Sequence, residues 1–139
     1  MHTAGYSGTP LAKKLGLKEG FVIRLINPPP HYRELFHGFP PGIKIITDDK
    51  TKVDCIHCFV VRAKDLSDQI RSLHAQLKPS GFIWVSWYKK SSKIKTDVTE
   101  DFIRSLALKN GLVDIKVCAV DDLWSGLKLV IPVKERSKI

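Results

Sequence analysis

Short apolar runs alternate with polar, helix-like segments along most of this chain. Two runs, Val53–Val61 and Phe82–Tyr88, are almost continuously apolar, which is typical of central strands covered on both faces of a sheet. Between them, apolar residues recur at helical spacing from Leu66 to Leu77, and Asp65 can cap that helix. This order predicts a strand–helix–strand unit of a parallel sheet.

Two further helices are predicted from their end signals. The segment GTPLAKKLG indicates a short helix with Thr9 as its cap, Pro10 at its first helical position and Gly16 at its end. The segment TDVTEDFIRSLALKNG begins with Asp97 and Glu100 at capping-box spacing and stops at an Asn-Gly pair. These helices flank the apolar core of the chain.

The remaining strands are shorter. One is predicted near Phe21–Ile26 and another at Ile43–Thr47, with a helical turn between them. The connection from Ile43–Thr47 to Val53 is shorter than the dozen or so residues of a parallel crossover, so Ile43–Thr47 is expected to be antiparallel or a degenerate edge piece. At the other end, VDIKVCAV and LKLVIPV are joined by DDLWSG, which predicts an antiparallel hairpin. Together these elements predict a three-layer α/β fold with a mostly parallel, Rossmann-like sheet that ends in an antiparallel hairpin.

Composition narrows the class of protein. The 139 residues suit a single α/β domain, 1–139, with an N-terminal helical segment at 1–17 and a frayed tail at 134–139. No apolar run or leader pattern indicates a membrane span or a signal peptide, and three cysteines fit a reducing compartment, so a cytoplasmic location is expected. A net charge of +9 favours an anionic partner, although the lysines are scattered along the chain.

Three segments resemble the S-adenosylmethionine-dependent methyltransferases. KEGFVIRLIN stands where their first strand stands, LHAQLKPSGFIWVSW resembles the segment before their fifth strand, and VDIKVCAVDDLWSGLKLVIPV resembles their terminal antiparallel hairpin. This resemblance implies a reduced version of that fold over roughly residues 18 to 133. The whole chain also resembles a bacterial family of small uncharacterised proteins, with a domain of unknown function, in which AGYSGTPLAKKLG opens the chain and WSGLKLV lies near its end. That second resemblance implies no activity and no catalytic residue.

The chain departs from the methyltransferase pattern after its first predicted strand. The resemblance implies a glycine-rich turn there, because glycine lets the backbone approach the cofactor, but this chain has NPPPHY at Asn27–Tyr32. Prolines fix φ and remove backbone donors. The resemblance also implies an acidic residue after the second strand that holds the ribose of the cofactor. In this chain only Asp48 and Asp49 stand at that place. Asn-Pro-Pro-aromatic is also a signature of amino-group methyltransferases, where it follows the fourth strand. In this chain Asn27–Tyr32 follows the first predicted strand instead. The segment is therefore interpreted as a stiff strand exit and not as a catalytic loop.

Other motifs carry weaker signals. Cys55 and Cys58 form a C-x-x-C pattern with His57 between them, but within a strand Cys55 and His57 share one face and Cys58 has the other. Buried core residues are therefore expected in place of a redox or metal site. Two pairs of neighbouring carboxylates occur, Asp48 with Asp49 and Asp121 with Asp122. Both pairs lie in predicted turns, where aspartate is favoured in any case, so neither is expected to be catalytic.

Ligands of open α/β sheets bind outside the carboxyl ends of the strands. The predicted topology brings aromatic and basic residues to that edge, from the segments 27–32, 62–64, 87–95 and 121–125. Aromatic faces beside lysines suit a flat anionic ligand such as a nucleotide or an exposed base, whereas the alternative is that the tryptophans pack against helices and the lysines are solvated. The candidate ligand-binding residues are Asn27, Tyr32, Trp87, Tyr88, Lys89, Lys90, Trp124 and Ser125.

These observations favour a non-catalytic, methyltransferase-like binding module for an anionic or nucleotide-like ligand or for a macromolecular partner. No catalytic residue, metal or cofactor is expected, and no membrane partner. Two alternatives stay open: an S-adenosylmethionine-dependent methyltransferase with an atypical cofactor loop, and a basic protein that binds nucleic acid. The exposed edge of the closing hairpin is compatible with a homodimer.

Overall fold

The computed structural model describes residues 9–138 and contains one six-stranded sheet. Its strands are β1 (Val22–Ile26), β2 (Lys44–Ile46), β3 (Val53–Phe59), β4 (Leu77–Tyr88), β5 (Val113–Ala119) and β6 (Trp124–Val130). They lie in the order β2-β1-β3-β4-β6-β5, with β1 to β4 parallel to one another and β6 antiparallel to both of its neighbours. The mostly parallel, Rossmann-like sheet with a closing antiparallel hairpin is confirmed.

Helical segments cover the two faces of the sheet. The helices α2 (Ala63–Ala75) and α3 (Glu100–Lys109) pack on one face, and α1 (Leu11–Leu15) with a 3-10 helix at Tyr32–Leu35 packs on the other. Because side chains alternate along a strand, β4 sends Ile83 and Val85 towards α2 and α3, and Trp84 towards α1. Two apolar cores therefore meet at the central strands. No helix in the part of the chain from 9 to 138 is long and apolar enough to cross a membrane.

The short helix α1 depends on packing for its place. It ends at Gly16, whose φ of +75° needs glycine, as the sequence predicts. Pro10 stands at the N-cap and not at the first helical position, and its own side chain forms no capping hydrogen bond. The Nε1 of buried Trp84 donates a hydrogen bond to the carbonyl of Leu15 at 2.8 Å, which fixes α1 to the sheet. The AGYSG segment, residues 4–8, lies outside the described residues.

The caps of the two longer helices differ from those predicted. Thr99 caps α3, with its Oγ1 accepting a hydrogen bond from the amide of Phe102. Asp97 instead caps α2, since its Oδ1 accepts from the amide of Ala63 at 2.7 Å. The predictions of Asp97 as the cap of α3 and of Asp65 as the cap of α2 are therefore wrong. The cap of α2 comes from a residue far away in sequence, so no local pattern could reveal it.

Two further segments differ from their predicted form. The LKPSG segment, predicted as a helix stop and turn, belongs to β4, because Leu77 already pairs with Val53 before a shift in register. Most of the tail predicted to be frayed lies in a 3-10 helix at Val133–Lys138, where Arg136 Nε donates to the carbonyl of Ile131 at 2.9 Å.

The edge strand β2 pairs parallel to β1, with Lys44 opposite Val22. The antiparallel prediction for Ile43–Thr47 is wrong, whereas the edge-piece alternative is confirmed. Since β2 has only 3 residues, the connection at 47–52 has only a short length of strand to run back along before β3 begins. A parallel crossover of this length is therefore feasible.

Arg24 organises this short crossover. Its side chain is buried on the face that carries α2, at 3% exposure for the residue. The guanidinium donates to the carbonyl of Asp48 at 2.7 Å, to the carbonyl of Thr51 at 3.1 Å and to Gln76 Oε1 at 2.7 Å. These bonds satisfy crossover carbonyls that have no strand partner there.

Replacing Arg24 by methionine is expected to lower the free energy of unfolding by about 2 kcal/mol, because three acceptors lose a charged donor. Urea denaturation measures the change, with Lys50→Ala in the same connection as the control, since Lys50 is exposed. Equal stability of the two variants would show that Arg24 does not hold the crossover.

Candidate anion-binding site

A basic loop follows β4 at the carboxyl end of the sheet. It contains Lys89, Lys90, Lys93 and Lys95, with a 3-10 helix at Lys90–Ser92. Lys93 adopts φ +62°, a left-handed conformation that is strained for a residue other than glycine. Strain of this kind persists only where surrounding contacts impose it.

Hydrogen bonds fix this loop at both ends. Ser92 Oγ donates to the carbonyl of Lys89 at 2.6 Å. Farther along, Thr96 Oγ1 donates to the carbonyl of Val61, and its neighbour Asp97 caps α2. The loop is therefore held between the ends of β3 and β4, and its lysines project from an ordered backbone.

A groove of about 790 Å³ opens beside this loop, within the usual range for small-molecule sites. Its walls come from the end of β4, the basic loop, the first turn of α3 and Ser125 of β6. The lysines at its rim are Lys89, Lys90, Lys93 and Lys95.

The charges around this groove are unbalanced. Lys90, Lys93 and Lys95 are exposed, and none of them forms a salt bridge with any carboxylate of residues 9–138. The two acidic residues in the groove wall, Glu100 and Asp101, are both paired with Arg104. The groove wall therefore holds four lysines against two carboxylates that share one arginine, so its net charge is positive, which suits an anionic ligand.

Lys89 differs from the exposed lysines because it is half-buried. Burial lowers the pKa of Lys89, while Asp121 and Asp122 in the turn between β5 and β6 act in the opposite direction. Its amide donates to the carbonyl of Leu123 in that turn at 2.8 Å. Lys89 therefore joins the basic loop to the closing hairpin.

The aromatic candidates are mostly inside the protein. Trp87 is 9% exposed and packs against the core under α2 and α3, and Trp124 is 5% exposed in the opposite core. Tyr88 is partly exposed and stacks on Trp124, with the ring centroids 4.0 Å apart. The structure thus offers Tyr88 at most as a stacking surface, and the anion-binding part of the prediction rests on the lysines.

Tyr32 and Asn27 lie apart from the groove. Tyr32 is buried in the core beneath α1, and its hydroxyl is 3.0 Å from Nδ1 of His57. The other ring nitrogen of His57 is 2.8 Å from Ser86 Oγ, so the three side chains form a buried hydrogen-bonded chain. Asn27 is exposed at the end of β1, with φ +55°, and its side-chain amide donates to the carbonyl of Phe59 at 3.4 Å.

The sequence did not single out this Tyr32–His57–Ser86 chain. A signal was present, because β3 contains His57 and β4 contains Ser86 within largely apolar strands. Polar side chains that are buried in this way need hydrogen-bond partners. Burial lowers the pKa of His57 to about 3, so the imidazole is neutral in the folded protein. These buried groups belong to the core and not to the groove.

The C-x-x-C pattern is placed as the alternation along β3 predicts. Cys55 lies in the core beneath α1 and Cys58 in the core under α2 and α3, on opposite faces of the sheet. Burial raises the pKa of both thiols, that of Cys58 to about 12. Among residues 9–138, no three histidine, cysteine or acidic side chains come together as metal ligands.

The carboxyl ends of β1 and β2 do not supply the cradle that the methyltransferase resemblance implies for S-adenosylmethionine. Three prolines follow Asn27, so residues 28–30 have no amide to donate, and Asn27 itself bridges β1 to β3. Two acids after β2 could hold the ribose. The carboxylate of Asp48 accepts the amides of Lys50 and Thr51 at 2.9 and 2.8 Å, whereas Asp49 is exposed and lines a pocket of about 430 Å³ with Ile26 and Pro28. These bonds also hold the pKa of Asp48 below its usual value. The proline turn after β1 therefore does not fit this group in that mode, whereas Asp49 leaves an exposed acid after β2.

Solved methyltransferase structures are nevertheless similar to this chain. Magnesium protoporphyrin IX methyltransferase from Synechocystis PCC 6803, with bound S-adenosylmethionine, is 14% identical with a TM-score of 0.57, and the match covers 87% of this chain and 74% of that one. The ribosomal protein L11 methylase of Lactobacillus delbrueckii subsp. bulgaricus is 12% identical with a TM-score of 0.57 and the same coverages, 87% and 74%. An S-adenosylmethionine-dependent methyltransferase from Clostridium acetobutylicum is 9% identical with a TM-score of 0.54, covering 82% and 84%.

Similarity at this identity concerns the fold. No family model matches the chain, so its resemblance to the small bacterial family stays a prediction. No curated protein matches it either. The strand order and the solved neighbours agree on one conclusion: the chain has a methyltransferase-like fold.

Proposed function

We propose that this protein binds a phosphate-bearing, nucleotide-sized ligand in the groove after β4. The observation that carries the proposal is the set of exposed lysines without carboxylate partners in the described chain, which an ordered loop holds around a groove of about 790 Å³. Lysine ammonium groups bind phosphate as compact point charges. The carboxyl edge of the sheet is also where open α/β folds bind their ligands.

An S-adenosylmethionine-dependent methyltransferase is the second candidate. The solved neighbours support it better than they support a non-catalytic module, because they are methyltransferases and one of them holds S-adenosylmethionine. Such an enzyme would have to hold the cofactor by contacts other than a glycine-rich turn, with Asp49 as the exposed acid after β2. Ligand binding separates the two candidates before any reaction is assayed.

Thermal unfolding with adenosine diphosphate, adenosine and S-adenosylhomocysteine tests both candidates. We expect a saturable rise of several degrees with adenosine diphosphate, since a ligand at 100 times its dissociation constant stabilises by about 2.7 kcal/mol. Adenosine, which lacks the phosphates, should give a far smaller rise. Equal responses to adenosine and adenosine diphosphate would contradict phosphate recognition, and a saturable response to S-adenosylhomocysteine alone would favour the methyltransferase.

A charge-reversal variant places the binding in the groove. Lys90→Glu with Lys95→Glu is expected to weaken binding of adenosine diphosphate about tenfold or more, because each of the two exposed charge contacts contributes up to about 1 kcal/mol and about 1.4 kcal/mol corresponds to tenfold. Lys50→Glu with Lys109→Glu is the matched control, since both lysines are exposed and lie outside the groove. Equal weakening in the two variants would indicate that net charge and not the groove governs binding.

A further inference from the structure

A second lysine-lined groove lies on the opposite face of the sheet, between α1 and β5. It has a volume of about 540 Å³ and is lined by Lys13, Lys14, Lys116 and Cys118. Lys13 and Lys116 are exposed, and none of the three lysines forms a salt bridge with a carboxylate of the described chain. The charge of this groove is therefore positive, like that of the groove after β4.

One turn connects the two grooves. Lys14 Nζ donates to the carbonyl of Ala119 at 3.2 Å, where β5 ends. The amide of Lys89 donates to the carbonyl of Leu123 at 2.8 Å, immediately before β6 begins. Lys14 and Lys89 thus flank the same short turn, and Lys89 also lines the groove after β4.

Electrostatic coupling agrees with this proximity. Burial has the largest effect on the pKa of Lys89 and lowers it, Asp121 and Asp122 oppose the shift, and the charge of Lys14 adds to it. Burial raises the pKa of Cys118, against the opposing charges of Lys14, Lys116 and Lys89. The charges of lysines from both grooves therefore affect the pKa values of Lys89 and Cys118.

The acidic residues of this turn are partly committed to its backbone. Asp121 Oδ1 accepts hydrogen bonds from the amides of Leu123 and Trp124, both at 2.8 Å. Asp121 therefore shapes the turn through Oδ1, and neither Asp121 nor Asp122 forms a salt bridge with a lysine of the described chain. Seven lysines line the two grooves on either side of this turn and are called the track; they are Lys13, Lys14, Lys89, Lys90, Lys93, Lys95 and Lys116.

We propose that this track binds single-stranded nucleic acid through its phosphodiester backbone. The inference rests on the proposed function, because the groove after β4 forms half of the track. Two nucleotide-sized grooves joined into one track suit a ligand with repeated negative charges. Among residues 9–138, Tyr88 is the partly exposed aromatic ring that the grooves offer, so these lysines suit contacts to the backbone of the strand and not to its bases.

The shape of the track favours a single strand over a duplex. One groove faces the side of the sheet that carries α2 and α3, and the other faces the side that carries α1. A ligand that fills both must bend round the end of the closing hairpin. Duplex DNA has a persistence length of about 150 base pairs and resists such a bend, whereas a flexible single strand does not.

Fluorescence anisotropy with fluorescein-labelled dT12 tests the track. With all seven lysines engaged, the slope of log K against log salt is expected to be about −5, since each neutralised phosphate of a single strand contributes about −0.7. Lys13→Glu with Lys116→Glu should weaken binding at least about tenfold and reduce that slope by about 1.4. The control Lys50→Glu with Lys109→Glu carries the same change in charge and should leave the slope within about 0.5 of that of the unmodified protein.

Cys118 provides a second readout. It is the partly exposed cysteine of the three in the chain, since Cys55 and Cys58 are buried. Alkylation of Cys118 by iodoacetamide, a neutral reagent, is expected to slow at least about fivefold when dT12 fills the groove at saturation. Unchanged alkylation at saturating dT12 would show that the strand does not enter this groove.

The possible results separate this inference from the proposed function. If the Lys13 and Lys116 variant binds dT12 like the unmodified protein while adenosine diphosphate still binds, the track is wrong and the groove after β4 stands. If adenosine diphosphate binding is also absent, both proposals fail. Binding of a twelve-residue polyglutamate or of duplex dT12·dA12 as tight as that of dT12 would overturn the assignment to single-stranded nucleic acid.

Discussion

Replacing Trp84 by alanine is expected to lower the free energy of unfolding by about 4 kcal/mol, a large share of the stability of a domain of this size. Trp84 is 0% exposed, and its indole both fills the core beneath α1 and donates to the carbonyl of Leu15. Gly126 makes room for the ring, because a Cβ at that position would lie 3.1 Å from Trp84 Cε3. Truncation would therefore open a cavity and release α1 from the sheet.

Urea denaturation of Trp84→Ala, Trp84→Phe and Val133→Ala measures this effect. Phenylalanine keeps much of the apolar volume but loses the N–H donor, so an intermediate loss of about 2 kcal/mol is expected. Val133 is 76% exposed, and its truncation should change stability by less than about 0.5 kcal/mol. A loss below about 1 kcal/mol for Trp84→Ala would show that α1 is not held to the sheet through this side chain.

Acid is expected to destabilise the protein through His57. Burial lowers the pKa of His57 to about 3 in the folded protein, whereas an unfolded histidine titrates near 6.5. Below about pH 6.5 the unfolded chain takes up a proton that the folded chain does not, so stability falls as the pH falls through this window. The loss amounts to about 3 kcal/mol between pH 7 and pH 4.

A series of urea denaturations from pH 7 to pH 4 tests this assignment against His57→Gln. Glutamine is neutral at every pH, so the difference in stability between the unmodified protein and the variant should shrink by about 3 kcal/mol across the series. Comparing the two proteins cancels the contributions of the carboxylates, such as Asp48, that both share. If the stabilities of the two proteins changed in parallel with pH, His57 would take up its proton in the folded state over the same pH range as in the unfolded state, which would contradict the assignment.

The core of this fold was predictable because its signals are local. The continuously apolar runs identified β3 and β4 as covered on both faces, and the spacing of α2 identified its buried stripe. The alternation along β3 also separated Cys55 and His57 from Cys58 correctly. Such periodicity arises from backbone geometry and needs no knowledge of distant residues.

The features that the sequence missed depend on distant partners. Asp97 caps a helix that precedes it by 34 residues, and Arg24 makes a short parallel crossover feasible by binding its carbonyls. A strand pattern gives the direction of a side chain but not the depth of its cover, so the sequence did not show that Trp87, which lines the groove, and Trp124 are largely buried. Lys13, Lys14 and Lys116 have no shared sequence pattern with Lys89, because only the fold brings α1 and the closing hairpin together.

The central claim is that the ligand site of this methyltransferase-like fold is the basic groove after β4. Amide chemical-shift mapping with adenosine diphosphate and, separately, with S-adenosylhomocysteine tests it most directly. Saturable shifts in residues 89–99 with adenosine diphosphate, and none in the amides of Ile26, Asn27 and His31 with S-adenosylhomocysteine, are the predicted result. Saturable shifts in the amides of Ile26, Asn27, His31 and residues 59–62 with S-adenosylhomocysteine, and no response in residues 89–99 to adenosine diphosphate, would contradict it and favour the methyltransferase.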